Sequence, residues 1–466
     1  MRLRRRQVLS SVAATCLMAG CAPLTQARES DFPPVIFVHG NGDSAALWQT
    51  TAWRFESNGW PADRLFAIDL PYPTARNDDT VDQPGRTGSE GFKQYLAAEV
   101  QKVLKRTGAR QVVLIGNSRG GLAIRNYIQN GGAKFVSHAV LGATPNHGVW
   151  AIPEFSEQNE FSGLSSFIKG LNTPKNAAGD EVTGPVKWLT LRSDKNDKYA
   201  QPEGTWIARA GKPTFVTEAG PELKGARNLV LPMADHREAS FSPQAFEATW
   251  QFLTGRAPKT TAAERVRAPV LNGRITGQGL KVDDPASGNF FNNLPIPGAQ
   301  LAIFETDPLT GARRGEAVYR KTVSDDGQWG PFTADSDKTY EFEVRAPGYA
   351  VTHIYRSPFP RGGQWVHLRA ERLMPSDKGN ASSTTVSRPR GYFLLSRDKM
   401  ALDGYSMIPG IPNYPVAGVS SFTLRDKEFT PNKPVRFTFN GESVAGQTWN
   451  HADSPTGQVA ILELSD

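Results

Sequence analysis

The chain has two cysteines in 466 residues, Cys16 and Cys21, both within the first thirty positions. Beyond that stretch there is no thiol to close a disulfide, attack a substrate as thiolate or build a cysteine metal site. Long apolar runs are also missing: past the leader, nothing reaches the eighteen or more uninterrupted apolar residues that a membrane span requires. The expectation is a soluble or surface-anchored protein. The formal charge of +7 would suit a polyanion, but Arg2, Arg4, Arg5 and Arg6 supply four of those charges near the N-terminus. No Lys/Arg cluster interleaved with aromatics follows, so no nucleic-acid site is read.

What the first thirty residues do have is an export pattern: clustered arginines precede a mostly apolar run from Val12 to Ala19. Arg5-Arg6-Gln7-Val8-Leu9 resembles a twin-arginine signal. Leu17-Met18-Ala19-Gly20-Cys21 resembles a lipobox, in which Cys21 would be acylated and anchor the chain to a membrane. Thr25-Gln26-Ala27 offers an ordinary peptidase site instead. The expected destination is the periplasm, the outer surface or the medium.

The stretch around which the rest is organised is Gln111-Val112-Val113-Leu114-Ile115-Gly116-Asn117-Ser118-Arg119-Gly120-Gly121. Four branched aliphatics in a row read as a strand buried on both faces. Ile124, Tyr127 and Ile128 resume at helical spacing, so Ser118 falls on a tight turn between strand and helix. Glycines two before and two after the serine let the two backbones approach, which is the nucleophile-elbow pattern. An ordinary Gly-rich turn would match the same letters, and context decides.

That context is a series of strands alternating with helices. Pro33 to Val38 is a second apolar strand, ending in His39-Gly40-Asn41-Gly42-Asp43. Phe92, Tyr95, Leu96, Val100, Val103 and Leu104 mark an amphipathic helix with Gly108 as its cap. Further strands are expected at Phe135 to Leu141, Val186 to Leu191 and Asn228 to Leu231, and a closing helix runs from Ser242-Pro243 to Gly255. The fold class is α/β, a parallel sheet covered on both faces in the α/β-hydrolase manner, followed by an all-β, sandwich-like C-terminal region.

In that architecture the chain order of a triad is serine, acid, histidine. Here it reads Ser118, then Asp194 or Asp197, then His236. Asp197 is favoured because Asp197-Lys198-Tyr199-Ala200-Gln201-Pro202 resembles the pattern around the acid of many bacterial lipases, with Ala200 in place of valine. The oxyanion donors would be the backbone NH groups of Asn41 and Arg119, their side chains incidental. His39 precedes the serine and reads as structural. Phe161, Leu164, Phe167, Ile168 and Leu171 form one apolar face of a short helix, either packed on the surface or serving as a lid.

After Gly255 the helical period fades. Residues 1–30 are the leader, 31–258 the hydrolase domain, 268–373 a β-sandwich domain and 388–466 a C-terminal all-β domain, which is either a third unit or the remainder of the second. Pro375 to Arg390 reads as a polar linker or long loop.

Pro34-Val35-Ile36-Phe37-Val38-His39-Gly40, then Phe55-Glu56-Ser57-Asn58-Gly59-Trp60-Pro61, His236, and Phe252-Leu253-Thr254-Gly255-Arg256-Ala257-Pro258 resemble the archaeal long-chain lipase family. Tyr340 to Val344 and Tyr355 to Phe359 are similar to its β domain. The resemblance implies carboxylic ester hydrolysis, with Ser118 as nucleophile, His236 as base, a lipid or ester as partner and no cofactor or metal. Asn117 stands where the family usually has histidine, and no carboxylate follows Leu141-Gly142, where the archaeal acid stands. The expected function is a lipase on medium or long acyl chains. The alternatives are a polyester (polyhydroxyalkanoate-type) depolymerase, an acyltransferase, or a non-catalytic surface-binding lipoprotein.

Overall fold

A computed structural model describes residues 32–201, 212–278, 292–412 and 418–465. The leader, with its arginines and Cys21, lies outside the described residues, as does Pro202 of the acid motif.

Six strands make one wholly parallel sheet: β1 (Val35–Val38), β2 (Leu65–Ala67), β3 (Val112–Asn117), β4 (Val136–Gly142), β5 (Lys187–Ser193) and β6 (Arg227–Leu231), in the spatial order β2-β1-β3-β4-β5-β6. Alternate side chains leave the sheet on opposite faces. Ile36, Val38, Val112 and Leu114 pack under α2 (Ser89–Thr107) and α3 (Arg119–Tyr127), where Phe92, Leu96, Val100 and Ile124 complete one core. Val35, Phe37, Val113 and Ile115 face the other way, against α1 (Gln49–Ser57) and the helix Pro243–Thr254. Each such aliphatic contributes roughly 1.5–3 kcal/mol by leaving water, so burial on both faces explains the uninterrupted apolar runs. The expected α/β-hydrolase sheet is therefore present. The edge strand β2 went unpredicted, because three residues are too short to display a period.

The closing helix has the stop and start signals read from its sequence. Ser242 Oγ accepts from the NH of Ala245, Pro243 opens the helix, and Gly255 closes it at φ 74°. In the inserted segment the helix Ser166–Leu171 buries Ile168 and Leu171 against Leu122.

The C-terminal region is all-β. One seven-stranded sheet runs, in spatial order, through Ser421–Asp426, Ser382–Ser387, Gln458–Glu463, Val351–Arg356, Thr339–Arg345, Gln300–Thr306 and Tyr319–Thr322. Strands from 268–373 and from 388–466 thus share a single ladder, joined where Val351–Arg356 pairs in parallel with Gln458–Glu463.

The polar stretch expected as a linker contains one of these strands. Ser382–Ser387 lies between two neighbours in the sheet, with most of its residues buried. Several of its hydroxyls find protein partners, Thr385 Oγ1 meeting Thr423 Oγ1 at 3.0 Å and Ser383 Oγ meeting His451 Nε2 at 3.0 Å, while Thr384 Oγ1 is buried without one. A run of serine and threonine carries no apolar alternation, and each hydroxyl that is bonded lowers the cost of burying it.

Candidate active site

Strand β3 delivers Ser118 to a tight turn into α3. Ser118 sits at φ 50°, ψ −119°, a conformation costly for a residue with a Cβ. Its NH donates to the Gly142 carbonyl at 2.8 Å. A Cβ on Gly116 would come within 2.7 Å of Ile124 Cδ1 and 2.8 Å of the Gly120 carbonyl carbon, and one on Gly120 would press on the Val38 and His39 carbonyl oxygens. The glycines of the motif are thus required by contact with named atoms.

The loop after β6 brings His236 to that serine. Ser118 Oγ lies 3.1 Å from His236 Nε2, and the opposite ring nitrogen, Nδ1, lies 2.8 Å from Asp197 Oδ2. With Nδ1 donating to the carboxylate, Nε2 is free to accept the serine proton. Asp197, on the loop after β5, is 5% exposed, and its other oxygen, Oδ1, accepts from the Tyr199 NH at 2.8 Å. The Tyr199 ring stands edge-on to the imidazole at 4.7 Å, and burial pushes its phenol up to about 12. Asp194 is turned elsewhere, its Oδ2 accepting from the Met233 NH at 2.7 Å. Of the two candidate acids, the structure brings Asp197 to the histidine.

A cavity of about 290 Å³ opens beside Ser118 and His236, walled in part by Asn41, Val149, Trp150, Phe161, Tyr199 and Tyr392. Asn41 shares it with the serine, while its Oδ1 accepts from the Ala75 NH at 2.7 Å. Arg119 is the first residue of α3, so its NH is one of the donors that a helix leaves without an internal acceptor. His39 is fully buried and does not line the cavity. Its Nε2 accepts from the Leu70 NH at 3.1 Å, and burial lowers its pKa. Asn117 is buried too, donating to Ser240 Oγ at 2.8 Å.

The Arg119 side chain is not incidental. It is wholly buried, paired with Glu160 through Nε–Oε2 at 2.9 Å and Nη2–Oε1 at 2.6 Å, and donates to the Pro73 carbonyl at 2.7 Å and to that of Thr87. Phe92 lies under its guanidinium at 5.1 Å. One side chain thus ties the elbow to the loop before α2 and to the inserted segment. Burial raises the Glu160 pKa, and the arginine opposes that rise. A partner 41 positions away left no sign in the sequence.

Among the described residues, one trio has metal-type donors close together: Glu341, Glu343 and His353, far along the chain in the β region. The Arg313 guanidinium already meets both carboxylates, at 2.6 and 2.7 Å, and is the cation held there.

Residues 33–164 match the α/β hydrolase fold, and residues 269–373 match the lipase C-terminal domain. The chain therefore joins a hydrolase-fold domain to a β domain of the kind that lipases carry. The narrower archaeal resemblance gains no support from these matches. A non-heme haloperoxidase of Rhodococcus erythropolis is 30% identical over 116 residues, which are 24% of this chain and 37% of that protein. Lipase B of Aspergillus fumigatus overlaps 49% of this chain and 54% of its own at 15% identity, TM-score 0.33. The propeptide form of Bacillus licheniformis lipase BlEst2 overlaps 90% and 93% at 14% identity, TM-score 0.34. Phospholipase PlaB from Legionella pneumophila overlaps 74% and 97% at 14% identity, TM-score 0.33. The chain thus spans about a third of the curated relative and about half of the first of these lipases, and likenesses at such scores carry no functional weight.

Proposed function

We propose that the protein is a serine hydrolase of carboxylic esters, with lipids of medium or long acyl chain as its substrates. The observation that carries this reading is the chain of contacts Ser118 Oγ, His236 Nε2, His236 Nδ1, Asp197 Oδ2, at 3.1 and 2.8 Å, at the mouth of a cavity. His236 takes the Ser118 proton as Oγ bonds to the ester carbonyl carbon, and Asp197 stabilises the imidazolium. The NH groups of Asn41 and Arg119 receive the oxyanion. When the C–O bond breaks, the histidine returns that proton to the leaving alcohol. Water then attacks the acyl-serine by the same route, releasing the acid and restoring the hydroxyl. The apolar wall of Val149, Trp150 and Phe161 suits a hydrocarbon chain, and the lipase C-terminal domain match agrees with a lipid substrate.

The test is turnover of nitrophenyl esters from acetate to palmitate by the wild-type chain and by Ser118→Ala. Hydrolysis that rises with acyl length and vanishes in the variant supports the reading. Retained turnover in the variant refutes the nucleophile, and activity confined to acetate refutes the lipid substrate. Acylation of Cys21 and export belong to the same proposal, and the mass of the mature N-terminus decides between Cys21 and a cut after Ala27.

A further inference from the structure

The loop that carries His236 is held from outside the hydrolase domain. Asp235, fully buried, uses Oδ1 to accept from the NH groups of Arg237 and Glu238 at 2.8 and 2.9 Å, and the Asp235 NH donates back to Glu238 Oε2 at 2.9 Å. That reciprocal pair is of the capping-box kind and fixes the backbone on both sides of the histidine. The remaining oxygen, Asp235 Oδ2, is taken by a distant segment: the Tyr392 NH donates to it at 2.6 Å and Arg388 Nη1 approaches at 3.5 Å. Glu238 is gripped by the same segment, with Arg388 Nη2 on Oε1 at 2.6 Å and Arg397 Nη1 on Oε2.

Arg397 also donates to the Met233 carbonyl at 3.0 Å, three residues before the histidine. Arg237, the residue after it, donates to the Pro389 carbonyl and to Asp43 Oδ1. Every neighbour of His236 from 233 to 238 except Ala234 therefore touches residues 388–397 or bonds to one that does. The two arginines share the Tyr392 carbonyl, at 2.7 and 3.1 Å, which holds that residue in place at the cavity wall. This segment lies in neither matched domain.

We infer that Arg388–Arg397 completes the active site: Arg388 and Arg397 are positioning residues for His236, acting through Asp235 and Glu238, and Tyr392 bounds the acyl cavity. The inference rests on the esterase reading above. Charged, forked hydrogen bonds to one buried and one half-buried carboxylate are rigid, and a catalytic group misplaced by about 1 Å can lose on the order of a hundredfold in rate.

The experiment uses the full chain and counts active sites by fluorophosphonate labelling of Ser118. In Arg388→Ala/Arg397→Ala, kcat per labelled site on a short nitrophenyl ester should fall about a hundredfold with KM within twofold, and labelling should slow in parallel. Restoring lysine at both positions should recover part of the loss, since charge returns without the fork. Tyr392→Ala should change the acyl length at which kcat/KM is greatest, and an unchanged length profile removes Tyr392 from the inference. A double variant with unchanged kcat per site overturns the inference, because a merely structural role lowers the number of sites and not their rate. Should the double variant fail to fold, Arg388→Lys and Arg397→Lys decide alone: a loss of kcat in both supports positioning, and unchanged kcat in both refutes it. A wild-type chain that does not label at Ser118 refutes the esterase reading itself.

Discussion

Among the described residues, two buried histidines hold a carboxylate through Nδ1 at nearly the same distance. His236 Nδ1 lies 2.8 Å from Asp197, and His353 Nδ1 lies 2.7 Å from Glu341. Their other nitrogens part company. His236 Nε2 meets a serine hydroxyl on a strained turn at a cavity, whereas His353 Nε2 meets the Gln458 side chain at 3.1 Å inside a sheet. His353 is also stacked on Trp449 at 3.6 Å and 2°, and Arg313 crosses its carboxylate. A histidine–carboxylate pair is thus ordinary packing material. The hydroxyl, the strain and the open space beyond the second nitrogen separate a site from a strut.

Replacing each histidine in turn breaks the comparison most sharply. His236→Ala should lower kcat per folded molecule by about 10⁴-fold or more, as read by ester hydrolysis. His353→Ala should leave kcat per folded molecule unchanged and lower stability, read by calorimetry, by about 3 kcal/mol, the scale for cutting a buried ring out of a packed core. If both variants lost activity and stability alike, the distinction would fail.

A smaller effect tests the strain at the elbow. Gly120→Ala drives a methyl against the His39 carbonyl oxygen, 2.6 Å from the ideal Cβ position, so strand and helix must separate. The expected cost is about 3 kcal/mol in denaturant unfolding, with Ser118 moved off the histidine and kcat reduced.

The smallest effect concerns a half-buried carboxylate whose neighbour is an arginine instead of a histidine. Glu371 borders a cavity of about 330 Å³ between the hydrolase and β regions, and burial pushes its carboxyl up to about 7, with Arg369 pulling the other way. Between its unfolded value of 4.5 and about 7 the folded state holds the extra proton, so this group lowers stability as pH rises through that window. Glu371→Gln should therefore melt a few degrees above wild type at pH 8, and the gap should shrink at pH 4.5.

Much of the hydrolase half was legible because its signals are local. Val112 to Ile115 announced a doubly buried strand, the glycines around Ser118 announced the turn, and Ser242-Pro243 with Gly255 bounded a helix. Asp197 was readable from its motif, and the structure separates it from Asp194 by a hydrogen bond to the imidazole. What stayed hidden depends on partners distant in sequence. Ser382–Ser387 has the letters of a linker, and its burial depends on pairing with two strands distant in sequence. The Arg119–Glu160 pair joins residues 41 apart, and the grip of Arg388 and Arg397 on Asp235 and Glu238 spans about 150 positions. No period or motif in one sequence encodes such contacts.

Covalent labelling reaches the central claim most directly. Treated with a fluorophosphonate and digested, the wild-type chain should carry the adduct on the peptide containing Ser118, and both His236→Ala and Asp197→Ala should slow its formation by orders of magnitude. An adduct on another residue, or labelling of Ser118 at an unchanged rate without His236, would contradict the account.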